Sequence, residues 1–380
     1  MGPGPSSSSA KHSGTIDFAR LTLAVLVVYS HSFALLAGSD TTEPLYRWTH
    51  GQLTWGGLAV DAFLILSGYL ITASWIRSPS LGAFLRNRVF RIYPGIAVAI
   101  GVGVLVVAPL STDAGTSTNF WEWLWGTLNL RGYEPEGVFP DVPFKGSLNG
   151  SVWSISYEFW CYVGTAIFGT LGWLTRRKVV SLVLLASIAI AVAFTLVGWR
   201  PGGGVLGSVF GDPWLWARLL PYYVAGWLFY LVRDRLPLSW PFAAVAVGAL
   251  VVGAACPPWG VALTFPASLA YLLVFATHRR EPRLTSVTRY GDLSYGVYLY
   301  AFPIQQLLVR YHVARTPLTL FAAATPLILV AAMLSWHLVE KRWLVRAPRP
   351  LPIADAAAPP FLDVVPAEAG PDSPRPLRLS

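Results

Sequence analysis

Residues 17–31 read DFARLTLAVLVVYSH. The run from Phe18 to Tyr29 is apolar and continues to Ala37, long enough for the roughly 20 residues that a bilayer span needs. Yet Asp17 and Arg20 stand at its mouth and His31 toward its far side. Ionisable groups on such a helix are expensive and face a partner or a water-filled cavity. The stretch therefore predicts a helix inside a bundle rather than a lone anchor. At about 100° per residue, the eleven steps from Arg20 to His31 leave a net rotation of only about 20°. Asp17 lies about 60° from Arg20 on the same side, within reach of an i,i+3 ion pair. The rise between Arg20 and His31 is roughly 16 Å, so an arginine near one interface carries a histidine to about mid-membrane.

The whole chain fits this setting. Its 380 residues are 54% hydrophobic and 12% charged, with a mean hydropathy of +0.53. Soluble domains carry about twice that share of charge. Seventeen Trp and 34 Gly suit a protein with many spans. The net charge of +9 falls in short clusters between apolar runs, which argues against a nucleic-acid partner. Cys161 and Cys256 form neither a disulfide framework nor a metal motif, so no metal and no bound cofactor is expected.

Ten apolar runs are placed at about 16–38, 54–76, 92–110, 149–173, 179–198, 213–232, 239–256, 259–277, 291–309 and 318–339. The seventh and eighth are separated by little more than CPPWG, so either admits a re-entrant reading. Sixteen Lys and Arg fall in one alternating set of connections, from Arg77 to Arg346. The other set, from Arg47 to Arg315, holds six. The positive-inside rule then puts the richer set and both termini in the cytoplasm. The expected fold is all-α, a polytopic membrane helix bundle of about ten transmembrane helices. Residues 1–13 read as a disordered tail, 14–345 as the membrane domain, and 346–380 as a Pro/Ala-rich disordered cytoplasmic tail. The outer connection 111–148 begins with an aromatic stretch suited to the membrane interface. No internal repeat of the transporter type is present.

Three further segments carry polar groups inside apolar runs. In SLNGSVWSISYEFWCY, Ser151, Ser154 and Tyr162 share a helical face with Glu158, a carboxylate among hydroxyls. In GGLAVDAFLILSGYL, Gly57, Asp61 and Gly68 share a face, so a neighbouring helix approaches closely and gives Asp61 a partner. In RNRVFRIYPG, Arg88 and Arg91 project together, with Arg86 nearby. Paired guanidiniums suit phosphates, although basic loops also serve lipid headgroups. A histidine exchanges protons near neutral pH, which makes His31 the candidate general base.

Taken in order, these segments resemble the acyltransferase-3 family of integral membrane O-acyltransferases. Arg20 and His31 match its Arg-x10-His signature, preceded by Asp17. VDAFLILSGYLI is similar to the Phe-Phe-x-x-Ser-Gly element, retaining Phe63, Ser67 and Gly68 with Leu64 as the departure. RNRVFRIYP matches Arg-x-x-Arg-Ile-x-Pro through Arg88, Arg91 and Pro94. SVWSISYEFWCY matches through Trp153, Glu158 and Tyr162, while GDLSYGVYLYAFPIQQLL and HLVEKRW resemble the last two spans. Ala301 stands where relatives often carry histidine.

The resemblance implies transfer of an acyl group, commonly acetyl, from acetyl-CoA or another acyl-CoA on the cytoplasmic side. The acceptor is an extracytoplasmic carbohydrate or lipid-linked glycan, met at a bacterial plasma (inner) membrane. Arg20, Arg88 and Arg91 are then expected at the donor and His31 at the acceptor hydroxyl, as base or acyl carrier. Glu158 and Asp17 support the chemistry. Ser154, Tyr162, Trp153, Asp61 and Ser67 hold the acceptor or the site. Two other functions stay open from the residues: acylation of a macrolide-like or other small-molecule hydroxyl, and a proton-coupled transporter.

Overall fold

The computed structural model describes residues 7–256, 258–278 and 291–346, with side chains from Thr15 to Leu344. Arg279, Arg280, Arg283 and Arg289 of the counted basic loop, and the tail from 347 onward, lie outside the described residues. The described residues are helical, with one isolated β-bridge between Ser117 and Glu136. In chain order the helices are α1 (Ser7–Ala37), the short α2 (Pro44–Trp48), α3 (Trp55–Arg77) and α4 (Leu81–Val102). A π turn at Gly103–Val107 extends α4 into α5 (Ala108–Leu110). Then come α6 (Phe120–Leu128), α7 (Trp153–Thr170), α8 (Arg177–Val197), α9 (Gly204–Phe210) and α10 (Pro213–Val232). The series ends with α11 (Trp240–Ala255), α12 (Gly260–His278), α13 (Ser294–Arg310) and α14 (Pro317–Ser335). A second π turn, Trp336–Glu340, leads α14 into α15 (Lys341–Arg346).

Each apolar run expected from the sequence is a helix. The first begins at Ser7, ahead of the expected start near residue 16. Among the described residues, seven stretches are long and apolar enough to cross a bilayer: those of α1, α3, α4 with α5, α8, α9 with α10, α12, and α14 with α15. The other three expected spans fall short for different reasons. At 16 and 17 residues, α11 and α13 reach about 24–26 Å, less than a hydrocarbon core of about 30 Å. Helix α7 is 18 residues long and spends part of that length on Ser154, Ser156, Glu158 and Thr165. Helix α13 is buried on every side, with Gly296 to Pro303 unbroken. A helix covered all round by protein has no need of a lipid-length apolar surface.

Outward faces are apolar where lipid would lie, as at Leu105, Leu182, Leu185, Val197 and Val245. In the outer connection, α6 exposes Phe120, Trp121 and Trp125, the aromatic face expected at the interface. Inside, α3 packs most extensively on α10. The contact depends on Gly68, where an added Cβ would lie 2.2 Å from the Tyr223 carbonyl oxygen, and on Gly226, where it would lie 2.3 Å from that of Ile65. Small residues here let two backbones touch, as membrane helix pairs commonly do.

Gly68→Ala should therefore force α3 and α10 apart and cost about 1–3 kcal/mol. Thermal unfolding of the detergent-solubilised protein should show a lowered midpoint. Gly101→Ala, where a Cβ meets nothing within 4 Å, should show no such loss.

Candidate active site

Proline chemistry shapes the centre of α13. Pro303 has no N–H to donate to the carbonyl of Leu299 one turn back. That carbonyl accepts instead from Asn149 Nδ2 at 2.8 Å, which ties the segment before α7 to the middle of α13. Gly150 completes the join, since a Cβ there would strike the Phe302 ring at 2.7 Å. From the other side, Gln305 Nε2 donates to the Val28 carbonyl (2.9 Å) and Ser32 Oγ (2.8 Å), which locks α1 beside α13. Between these ties sits His31, its ring edge-on to Phe302 at 5.4 Å. Its Nδ1 is buried and has no hydrogen-bond partner.

Two cavities flank this region. The larger, called outer after the orientation expected from the loop charges, is about 770 Å³ and is lined by His31, Trp153, Trp199, Trp214, Arg218 and Gln52, among others. The inner one, about 130 Å³, brings together Arg20, Arg88, Arg91, Ser67, Ser154, Glu158 and Tyr162. Two residues, Val60 and Tyr298, line both.

In the inner cavity Glu158 Oε1 accepts from Ser67 Oγ at 2.7 Å and from the Tyr162 hydroxyl at 2.5 Å. The Ser67–Glu158 bond joins α3 to α7. Arg88 lies over the rings of Phe84 and Tyr162, and its Nε is buried without a hydrogen-bond partner. Arg20 and Arg91 both converge on Asp292 Oδ2, the former at 2.7 Å. Asp292 lies in the turn before α13, and Ser294 Oγ donates to its Oδ1 at 2.6 Å. Arg91 also reaches Glu340 at 3.9 Å, and Ser335 Oγ donates to the other oxygen of Glu340. The π turn that ends at Glu340 brings it there.

The sequence reading and this geometry differ in two places. Arg20 pairs with Asp292, 272 residues away, a partner the sequence reading did not foresee. Glu158, Ser154, Tyr162 and Ser67 line the cavity of the arginines, whereas His31 and Trp153 line the other. Asp61 does find its partner: the buried carboxylate takes Arg218 Nη2 at 3.0 and 3.2 Å, and Arg218 lines the outer cavity. Helical arithmetic gives a face but neither depth nor neighbour, which is why these partners were missed. Asp292 carried a signal, an acid just before an apolar run in GDLSYG. Arg218 stood likewise as a lone arginine inside PWLWARLLPYY.

A family model described as an acyltransferase domain matches residues 14–337, nearly the whole described chain. The chain belongs to the acyltransferase-3 family. It is 29% identical over 348 residues to the O-acetyl transferase of Shigella phage Sf6, covering 88% of this chain and 97% of that protein. It is 27% identical to nodulation protein 10 of Rhizobium leguminosarum bv. viciae, covering 81% and 87%. With a protein of Komagataeibacter xylinus named as a membrane-bound transacylase, BcsY, it shares 25% identity, covering 77% and 78%. No solved structure matches the chain. The chain is thus a multi-pass membrane O-acyltransferase.

Asp292→Asn should leave Arg20 and Arg91 facing each other across a neutral amide. With both arginines partly exposed, the expected cost is about 1–3 kcal/mol, below that of breaking a fully buried pair. Thermal unfolding in detergent would read it as a midpoint lowered by several degrees.

Proposed function

We propose that the protein moves an acyl group, acetyl first of all, from acyl-CoA on the cytoplasmic side to a carbohydrate hydroxyl on the far side of a bacterial plasma membrane. The single observation that carries this reading is the division of the site into an arginine-lined inner cavity and a histidine-bearing outer one. The name of the phage relative supports acetyl as the group moved.

In this reading the chain crosses the membrane ten times, α7, α11 and α13 included, with both termini in the cytoplasm. The excess of Lys and Arg in one set of loops supports that orientation. Phosphates of the donor approach from the inner rim. Arg88 is the guanidinium best placed to meet them or the polar end of the pantetheine arm, because Arg20 and Arg91 are already drawn to Asp292. The inner cavity is too small for the whole donor and suits only its narrow acyl-thioester end. The outer chamber has the size of an ordinary ligand site. Its Trp153, Trp199 and Trp214 offer flat faces for sugar rings, and Gln52 and Arg200 offer hydrogen-bond donors.

His31 takes the proton of the acceptor hydroxyl as its oxygen attacks the thioester carbonyl carbon. The carbon–oxygen bond forms, the carbon–sulfur bond breaks, and the proton finishes on the sulfur of the released CoA. Glu158, held by Ser67 and Tyr162, lies on the donor side of this exchange.

Purified protein should consume acetyl-CoA, which separates transferase from transporter. His31→Ala should lower transfer by roughly 100-fold or more and leave CoA binding intact. Full transfer by folded His31→Ala protein would overturn the assignment. Arg88→Ala should weaken CoA binding by about tenfold or more in isothermal titration, the loss expected for one charged hydrogen bond. A fluorescent protein fused to the C-terminus should fold and fluoresce, as a cytoplasmic terminus requires.

A further inference from the structure

The inner and outer cavities share two wall residues, Val60 on α3 and Tyr298 on α13. Both are largely buried, at 7% and 8% exposure, and each contributes wall to both cavities. The Tyr298 ring is held from three sides. Its hydroxyl donates to the Ser151 carbonyl and accepts from Ser154 Oγ at 2.7 Å. Phe63 stands edge-on to the ring with centroids 6.4 Å apart. On the inner side the lining turns apolar, through Phe63, Leu64 and Ile155.

We infer that Val60 and Tyr298 form the constriction through which the donor's acyl end passes, and that this pair sets the length of chain transferred. The inference rests on the donor and acceptor reading above. If the arginines hold CoA on one side and His31 meets the acceptor on the other, the acyl carbon must cross between these two side chains. A two-carbon group asks least of such a constriction. Each added methylene must displace Val60 or swing the Tyr298 ring off Ser154 and Ser151, which disrupts packing and hydrogen bonds together. Discrimination then falls on the acyl chain alone and leaves CoA binding at the arginines untouched.

The test uses inside-out membrane vesicles carrying the full chain, supplied with equal concentrations of acetyl-CoA and butyryl-CoA. The readouts are alkali-labile acyl ester formed from each donor, by mass spectrometry, and CoA binding. Val60→Ala should raise the butyryl-to-acetyl product ratio by about tenfold, the scale on which apolar pockets sort methylenes. Tyr298→Phe, which frees the ring from Ser154 and Ser151, should shift the ratio in the same direction. Val60→Phe should cut transfer of both groups more than tenfold while CoA still binds. If Val60→Phe loses CoA binding, the Val60→Ala ratio decides. An unchanged ratio in Val60→Ala, with the wild type transferring acetyl, overturns the constriction and leaves the transferase reading standing. Wild-type vesicles that form no ester from either donor overturn both.

Discussion

A partly buried carboxylate shared by two arginines organises the arginine-lined side of this molecule. Asp292 meets Arg20 of α1 and Arg91 of α4 and stands at the head of α13, so one oxygen joins three helices that are far apart in sequence. None of these charges is affordable in an apolar bundle by itself. Together they permit a cluster of guanidiniums beside a cavity, where an unpaired set would repel one another or recruit stray anions. The arrangement also sorts the arginines by availability. Arg20 and Arg91 share the one charge of Asp292, with Glu340 3.9 Å from Arg91, while Arg88 faces aromatic rings and keeps an unsatisfied Nε.

Helix α3 is the element along which the two cavities meet. Asp61 holds Arg218 at the outer chamber, Val60 touches both spaces, and Phe63 and Ser67 line the inner one. Its register is set by backbone contact with α10 at Gly68 and Gly226, which a slip along the axis would destroy. On the opposite side α13 holds Tyr298 at the same level. It is pinned by Asn149 at the carbonyl that Pro303 leaves free and by Gln305 to α1. The outer connection is pinned as well. Glu134 accepts from Ser147 Oγ and from the backbone of Leu148 and Asn149, and Gln306 donates to the Phe144 carbonyl. His31 therefore sits among restrained neighbours, although no side chain holds its Nδ1.

Much of this was legible in the chain, but unevenly. Every apolar run became a helix, because apolar length is a local property that lipid reads directly. The three runs that fail a strict length and hydropathy criterion are instructive. Helices α7, α11 and α13 are shorter or more polar, and α7 and α13 spend their surfaces on the site. Arg20 and His31, expected on one helical face, line two separate cavities. Asp61 was expected to find a partner across a small-residue contact, and the glycines on its face made that inference possible. Tyr298 carried no such signal, since a tyrosine in an apolar run reads as packing.

By itself, the sequence determined that this is a membrane helix bundle and which family it belongs to, and it marked most of the polar residues that line the inner cavity but few of those in the outer one. Those properties follow from runs of apolar residues, from period and spacing, and from the order of short motifs. Only the tertiary structure decided which charge meets which, that the arginines and His31 face different cavities, and that Val60 and Tyr298 line both. Pairings such as Arg20 with Asp292 cross 272 residues, and no local pattern encodes a distance of that kind. They are set by how helices pack, where a glycine admits a backbone and a proline frees a carbonyl.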